Sequence, residues 1–255
     1  MVSKLERCIT IITNQTAIVT GAGQGLGLAI ANELLSTGKR VAFVDVDQNL
    51  LDSIREKQGN DHSLFIQADV SRIGDIKSCI NTVIEAWGRV DILVNNAGVR
   101  RETVIEEITE EEWNQIISVN LGGTFFFSQS VLEIMKQQGK GRIINISSLA
   151  GQNGPLTSGA HYCASKAGQI ALTKVFARSV ADKGITVNAI APAAIETPEL
   201  YKADLSKLEN MKKGIPVQRF GLSEEVAKLT AFLVSEDSGY ITGATYDING
   251  GLLMR

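Results

Sequence analysis

Tyr162 and Lys166 stand four residues apart in a run, Ala160 to Ala181, whose composition favours helix. At that spacing two side chains share one helical face, one turn apart. A free phenol titrates near about 10, and an ammonium beside it favours phenolate. The pair is therefore a candidate acid/base couple near neutral pH, with Lys166 expected to lower the Tyr162 pKa. Ser148 follows an apolar run ending at Ile146 and could hold a substrate oxygen beside them. The same spacing also occurs where a tyrosine merely packs on a lysine stem, so the chemistry depends on what the rest of the chain delivers there.

A second cluster is Thr20-Gly21-Ala22-Gly23-Gln24-Gly25-Leu26-Gly27. It lies between a short apolar run, Thr16 to Thr20, and a helical one, Leu26 to Leu35. Glycines in a strand-turn-helix unit let the backbone turn tightly and let a pyrophosphate approach a helix N-terminus. The strict G-x-G-x-x-G spacing is met only loosely, so position in the unit carries more weight than the pattern. Asp45 ends the next apolar run, 24 residues after Gly21. A carboxylate there accepts hydrogen bonds from a ribose diol and repels a 2′-phosphate, which favours NAD over NADP. Gln24 and Val46 add no positive charge. Asp45 as a helix cap or turn acid is the plainer reading, and Asp47 is placed to fill either role.

The elements that must position these groups alternate strand and helix throughout. Apolar runs at 16–20, 40–45, 63–68, 90–94, 141–146, 185–190 and 244–248 read as strands. Between them lie helical patterns at 26–35, 48–57, 71–87, 109–136, 160–181 and 223–233. Ser71 is the expected cap of the 71–87 helix, and Thr109 with Glu112 forms a capping-box pattern. The strands are continuously apolar, the signature of a parallel sheet covered on both faces. One α/β doubly wound domain with a seven-stranded parallel sheet is expected over 16–255, after an N-terminal extension, 1–15. Ligands in such folds bind at the carboxyl ends of the strands.

Composition narrows the function classes. The chain has 255 residues, 44% hydrophobic, with a net charge of −3 and no basic block, which argues against nucleic acid. Three dispersed cysteines, Cys8, Cys79 and Cys163, form neither a disulfide framework nor a metal pattern. Two histidines, His62 and His161, argue against a His-built zinc site. No apolar run reaches membrane-spanning length, and no targeting signal is recognisable near the start. A cytoplasmic protein with no membrane partner is expected.

The order of the motifs is more specific than any one of them. Thr20-Gly21-x-x-x-Gly25-x-Gly27, Asn95-Asn96-Ala97-Gly98, Ser148 and Tyr162-x-x-x-Lys166 together resemble the short-chain dehydrogenase/reductase family, from about Thr16 to Gly251. Ile215-Pro-Val-Gln-Arg-Phe-Gly221 and the segment Ile241 to Gly251 are similar to the branch holding 3-oxoacyl-[acyl-carrier-protein] reductases and sugar or polyol dehydrogenases. The resemblance implies a Rossmann fold, a homotetramer and a nicotinamide cofactor. It implies Asn120, Ser148, Tyr162 and Lys166 as the catalytic set, with Ser148 and Tyr162 on the substrate. Asn120 would hold, through its backbone, a water linking Lys166 to solvent. Cofactor contacts would come from Gly21, Gln24, Gly25, Leu26, Gly27, Asp45, Asp69, Val70, Asn96, Tyr162, Lys166, Ile195 and Thr197. Residues 199–213 would form a substrate lid.

Departures concern the substrate. Pro192-Ala193-Ala194 replaces a family Pro-Gly turn, and the loop 152–160 is one residue longer than in acyl-carrier reductases. Of two basic positions for carrier docking, Lys183 matches one, and Gly139, beside Lys140, falls at the other. With Asp45 read as favouring NAD, a sugar, polyol or sugar-acid alcohol is the leading substrate class, and a 3-oxoacyl thioester the alternative. A non-catalytic NAD-binding sensor is the rival of another class. Arg100-Arg101 reads as a solvated pair, or as an anion site near the pocket mouth. His161 is expected at the surface, Cys163 as a small packing residue, and Trp87 and Trp113 as helix-packing aromatics.

Overall fold

The computed structural model describes residues 15–155, 158–198, 200–202 and 204–255. Nearly all of the 1–15 extension, and part of the 152–160 loop, lie outside the described residues.

Among the described residues, nine strands and nine α-helices follow in chain order. They are β1 (Thr16–Thr20), α1 (Gly25–Ser36), β2 (Arg40–Asp45), α2 (Gln48–Gln58), β3 (Ser63–Gln67), α3 (Ile73–Trp87) and β4 (Ile92–Asn95). Next come α4 (Glu110–Ile117), α5 (Gly123–Gln138), β5 (Gly141–Ile146), α6 (Ala150–Asn153), α7 (Ala160–Val180) and β6 (Ile185–Pro192). The last are β7 (Ile195–Glu196), α8 (Leu205–Gly214), β8 (Gly221–Leu222), α9 (Ser223–Leu233) and β9 (Thr245–Ile248).

Seven strands form one parallel sheet in the order β3-β2-β1-β4-β5-β6-β9. Strand order reverses between β1 and β4, so the two loops leaving their carboxyl ends part to either side and open a crevice. Side chains alternate across the sheet. Ala17, Val19, Val41 and Phe43 meet α1, α2 and α9 through Ile30, Leu34, Leu51 and Val226. Ile18, Ala42, Val44 and Leu93 meet α3, α5 and α7 through Ile76, Phe127, Val131 and Phe176. Each such apolar side chain contributes about 1.5–3 kcal/mol by leaving water. The continuously apolar strands are thereby explained, because both faces are covered.

Local details differ from the sequence reading in four places. The 71–87 helix starts at Ile73, because Ser71 donates from both its N–H and its hydroxyl to Asp69 Oδ1, at 2.9 and 2.7 Å, and so is spent in a turn. Trp113 is 42% exposed and packs no core, since its helix α4 turns another face inward; Trp87 packs as expected. A small second sheet, β7 with β8, was not anticipated. The 109–136 helix is one continuous rod, but it is interrupted by a π turn, Ser118–Gly122, where Gly123 N–H reaches back five residues to the Ser118 carbonyl. Thr109 caps its start, accepting from Glu112 N–H at 3.2 Å.

Beyond β7, α8 packs through Leu208 against Ile215 and Phe220 as a small separate cluster. Residues 199 and 203 of the expected lid lie outside the described residues. No described helix is long and apolar enough to cross a membrane.

Candidate active site

The glycine turn joins β1 to α1 at the reversal point. Gly21 has φ +64°, where a Cβ is strained. Gly27 is closed by neighbours instead: a Cβ there would lie 2.0 Å from the Gly21 carbonyl oxygen and 2.4 Å from Asn96 Nδ2. Asn96 is the clamp. Its amide donates to the Thr20 and Gly21 carbonyls at 2.9 and 3.1 Å, while its N–H and that of Ala97 donate to Thr20 Oγ1. These bonds tie the end of β1 to the loop after β4. Gln24 precedes α1, is exposed, and makes no side-chain cap bond, so the first N–H groups of α1 stay available. A glycine cradle before an uncapped helix N-terminus fits a pyrophosphate.

Asp45 reaches the same turn from the end of β2. Its Oδ2 accepts from Gly23 N–H at 2.8 Å and its Oδ1 from Asp47 N–H at 3.1 Å. Two hydrogen bonds fix the carboxylate and leave lone pairs over for a diol. Asp47 fills the plainer role, accepting from Asn49 and Leu50 N–H to cap α2. The two acids are thereby told apart. Asp69 Oδ1 is held by Ser71, and Val70 is buried against Gly123. Thr197 sits over the glycine turn, its methyl 3.6 Å from where a Gly25 Cβ would be, and Ile195 beside it is buried.

Ser148, Tyr162 and Lys166 converge at the carboxyl end of β5. Tyr162 is partly buried, and its phenol hydrogen-bonds Ser148. Lys166 Nζ stands 5.8 Å from the Tyr162 ring centre and donates to the Ile146 carbonyl at 2.7 Å and to Gln169 Oε1 at 3.0 Å. An ammonium has three protons, and among the described residues no acceptor holds the third. Burial raises the phenol above its ordinary 10.0, while the Ser148 bond and the Arg100 charge pull it back. Burial lowers the Lys166 ammonium to about 7. The expectation that Lys166 lowers the phenol is therefore not met in the protein alone. Burial disfavours both charged forms, and a half-neutral amine gives a phenolate little support.

Asn120 is fully buried in the π turn. Its side chain bridges both polar groups of Val99 and donates to Ser165 Oγ at 3.0 Å. Its carbonyl accepts from Gln169 Nε2 at 3.0 Å and from Thr124 Oγ1 at 2.8 Å. The Gln169 amide touches both this carbonyl and Lys166 Nζ.

His161 corrects another expectation, being wholly buried. Its Nδ1 accepts from Tyr162 N–H at 2.9 Å, so Nε2 carries the proton and donates to Glu112 Oε1 at 2.6 Å. Hydrogen bonds from Thr103 and His161 hold the Glu112 carboxyl below the usual carboxylate range. The Arg101 carbonyl accepts from Gly159 N–H at 3.0 Å. These bonds fasten the loop after β4 to the first turn of α7. Arg100 pairs with Glu102 at 3.0 Å. Cys163 Sγ lies 3.7 Å from the Ser158 carbonyl, and burial raises its thiol, as suits a packing residue. Among the described residues no cluster of His, Cys, Asp and Glu could hold a metal.

A family model described as Enoyl-(Acyl carrier protein) reductase matches residues 21–253. The chain belongs to the short-chain dehydrogenase/reductase family. It is 39% identical over 246 residues to the 3-oxoacyl-[acyl-carrier-protein] reductase FabG of Staphylococcus epidermidis, covering 94% of this chain and 100% of the relative. Identity to the Thermotoga maritima protein of that name is 37% over 245 residues, covering 95% and 99%. For the Escherichia coli protein it is 38% over 239 residues, covering 93% and 97%. Family membership makes the chain an oxidoreductase that works with a nicotinamide cofactor.

Proposed function

We propose that the protein reduces the 3-oxo group of an acyl thioester with NADH, Tyr162 acting as the proton donor. The observation that carries the reaction type is the meeting of Ser148, Tyr162 and Lys166 beside the glycine turn, at the carboxyl ends of β4 and β5. The thioester is favoured over the sugar or polyol expected from the sequence, because the three relatives described above carry the 3-oxoacyl name at 37–39% identity. Lys140 and Lys183 are both engaged by acids, Glu236 and Asp182, so a carrier domain on the thioester is not part of the proposal.

The glycine cradle with Asn96 would hold the pyrophosphate, Asp45 the adenosine ribose diol, and Lys166 the nicotinamide ribose through its third proton. Asp69 and Val70 would border the adenine, and Ile195 and Thr197 the carboxamide. When bound, the cofactor supplies the hydride. The residues do the rest. As negative charge grows on the substrate oxygen, the Ser148 hydroxyl and the Tyr162 phenol donate to it. Tyr162 then gives up its proton to complete the alcohol. A phenol held above 10.0 by burial is protonated at neutral pH, the form that a reductase needs at the start of its cycle. The fixed Asp45 carboxylate supports NAD, since it would accept from a ribose diol and repel a 2′-phosphate. Exposed Trp113 on α4 and Val175 on α7, 42% and 65% accessible, suit the homotetramer implied by the resemblance. A lid over 199–213 belongs to the same proposal.

The test is absorbance at the reduced-nicotinamide band with a 3-oxobutanoyl thioester, a ketone panel and a sugar and polyol panel, each with NAD(H) and NADP(H). Thioester reduction is expected to dominate, and Tyr162→Phe is expected to abolish it while NADH still binds. Turnover confined to polyols would overturn the substrate, and binding without turnover on every panel would favour the sensor.

A further inference from the structure

Tyr162 stands in the first turn of α7, where backbone N–H groups have no acceptor inside the helix. The flanking residue, Gly159, has no side chain to cap them. Helical spacing therefore puts Tyr162 on the right face without holding it still. His161 supplies the hold. Its Nδ1 accepts from Tyr162 N–H at 2.9 Å. To reach that N–H the ring lies against Gly159, where a Cβ would stand 2.3 Å from His161 Cε1 and 2.7 Å from Nδ1. A glycine at 159 is what leaves room for the ring.

The other ring nitrogen is anchored from two further elements. Nε2 donates to Glu112 Oε1 of α4 at 2.6 Å, and the Thr103 hydroxyl, from the loop after β4, donates to the same carboxyl. Arg101, in that loop, adds its charge to Glu112. The loop is tied twice more. Asn120 bonds both polar groups of Val99, and the Arg101 carbonyl accepts from Gly159 N–H at 3.0 Å. A chain of hydrogen bonds thus runs from Thr103 through Glu112 and His161 to the backbone of Tyr162.

The ring itself is wholly buried, and both of its nitrogens are spent, one on a backbone N–H and one on a carboxylate. It has no nitrogen left to face a substrate, so what it can pass on is position. We propose that His161 and Glu112 are positioning residues that set the Tyr162 phenol in register with the loop 99–103, at the carboxyl-end crevice. This rests on reading Tyr162 as the proton donor. The leverage is large, since a shift of about 1 Å at a reacting group can cost about a hundredfold in rate.

The experiment measures kcat, KM and NADH affinity of the full-length enzyme, with the carbonyl substrate that the wild type turns over fastest. Glu112→Leu releases the ring and should cut kcat about ten- to a hundredfold, with KM and NADH affinity held within about twofold. Glu112→Gln keeps an acceptor for the Nε2 proton and should recover most of that loss. Gly159→Ala leaves every polar group in place, and the φ of −58° there suits alanine, yet it pushes the ring aside and should lower kcat in the same way. His161→Phe together with Glu112→Leu separates position from stability. With both partners replaced by apolar groups the melting temperature should return toward that of the wild type, while kcat stays low. A brace with no part in the reaction would bring kcat back along with the melting temperature. That result would overturn the proposal, as would an unchanged kcat in Gly159→Ala. A readout in the unaltered protein is the tautomer of His161, from the 15N shifts of its two histidines near neutral pH, with the exposed His62 as reference. Nε2 of His161 should carry the proton and Nδ1 should be bare. A proton on Nδ1 would overturn the proposal, because no lone pair would remain for the Tyr162 N–H. Tyr162→Phe separates the two layers. Retained turnover there would sink the reading of Tyr162 as the proton donor. Lost turnover there, with wild-type kcat in the Glu112→Leu and Gly159→Ala variants, would sink only the positioning role.

Discussion

Replacing Lys166 by Met should make the ligand-free protein more stable at low pH, and the size of the gain should depend on pH in a calculable way. Lys166 is a base whose pKa is lower folded, about 7, than its ordinary 10.5, because burial disfavours the ammonium. Below the folded value it is charged in both states, and the full cost of burying that charge, about 5 kcal/mol, bears on folding. Between 7 and 10.5 the unfolded chain keeps a proton that the folded chain has released, so stability rises with pH. Above 10.5 the cost is gone. Integrated from near pH 6 to near pH 9, the rise is about 2.7 kcal/mol. Methionine has a similar unbranched stem and no charge, so the variant lacks this component. The bonds it forfeits, to the Ile146 carbonyl and to Gln169 Oε1, give an offset that does not vary with pH. Tyr162 titrates in both proteins and cancels. Urea denaturation of both at several pH values in that range gives the difference directly. The advantage of the variant should shrink by about 2.7 kcal/mol from the acid to the alkaline end. A difference that stays flat within about 1 kcal/mol would refute the account of Lys166 as a desolvated base held for function at the expense of stability.

Three further outcomes follow from the geometry. Asp45→Ser should weaken NADH and improve NADPH, bringing the two kcat/KM values together by tenfold or more; an unchanged ratio would mean that Asp45 serves only to brace Gly23. Gly27→Ala forces a methyl onto the Gly21 carbonyl and the Asn96 amide, which should cost about 2 kcal/mol or more in urea denaturation and abolish cofactor binding by fluorescence titration. His161→Ala strands the Tyr162 N–H and the Glu112 carboxylate, and should lower Tm by about 6 °C, equivalent to about 2 kcal/mol, with a parallel loss of kcat. An unaltered melting curve would show that the buried pair is idle.

The sheet was legible because a strand covered on both faces is apolar along its middle, and residues 17–19 of β1, 41–44 of β2, 92–94 of β4 and 143–144 of β5 satisfy that within the sequence itself. The pair Tyr162 and Lys166 was legible because helical spacing is local. His161 was not, because its partner Glu112 lies forty-nine positions away and nothing beside His161 announces it. Gln169 reads in sequence as one more polar residue on a helix, and only the Asn120 carbonyl opposite gives it work. β7 and β8 have two residues each, too few to show any period. Trp113 was misplaced for a related reason: an aromatic on an amphipathic helix looks inward until the rotation of that helix is known. The substrate lay furthest from view, since Asp45 describes the cofactor and says little about what meets Tyr162.

The π turn at Ser118–Gly122 acts as a phase shift along one rod. A surplus residue there rotates everything before it by about 100° relative to everything after it. The two halves can then answer to different neighbours: Glu112 to His161, and Phe127 and Val131 to the sheet. Trimming the bulge to a regular helix by deleting one residue would improve local hydrogen bonding, and composition would hardly register the change. It would also swing one half out of step. Either Glu112 would leave His161 or Asn120 would leave the cavity where Gln169 waits for its carbonyl. The least regular turn of the molecule is thus the one at which tidying does most harm.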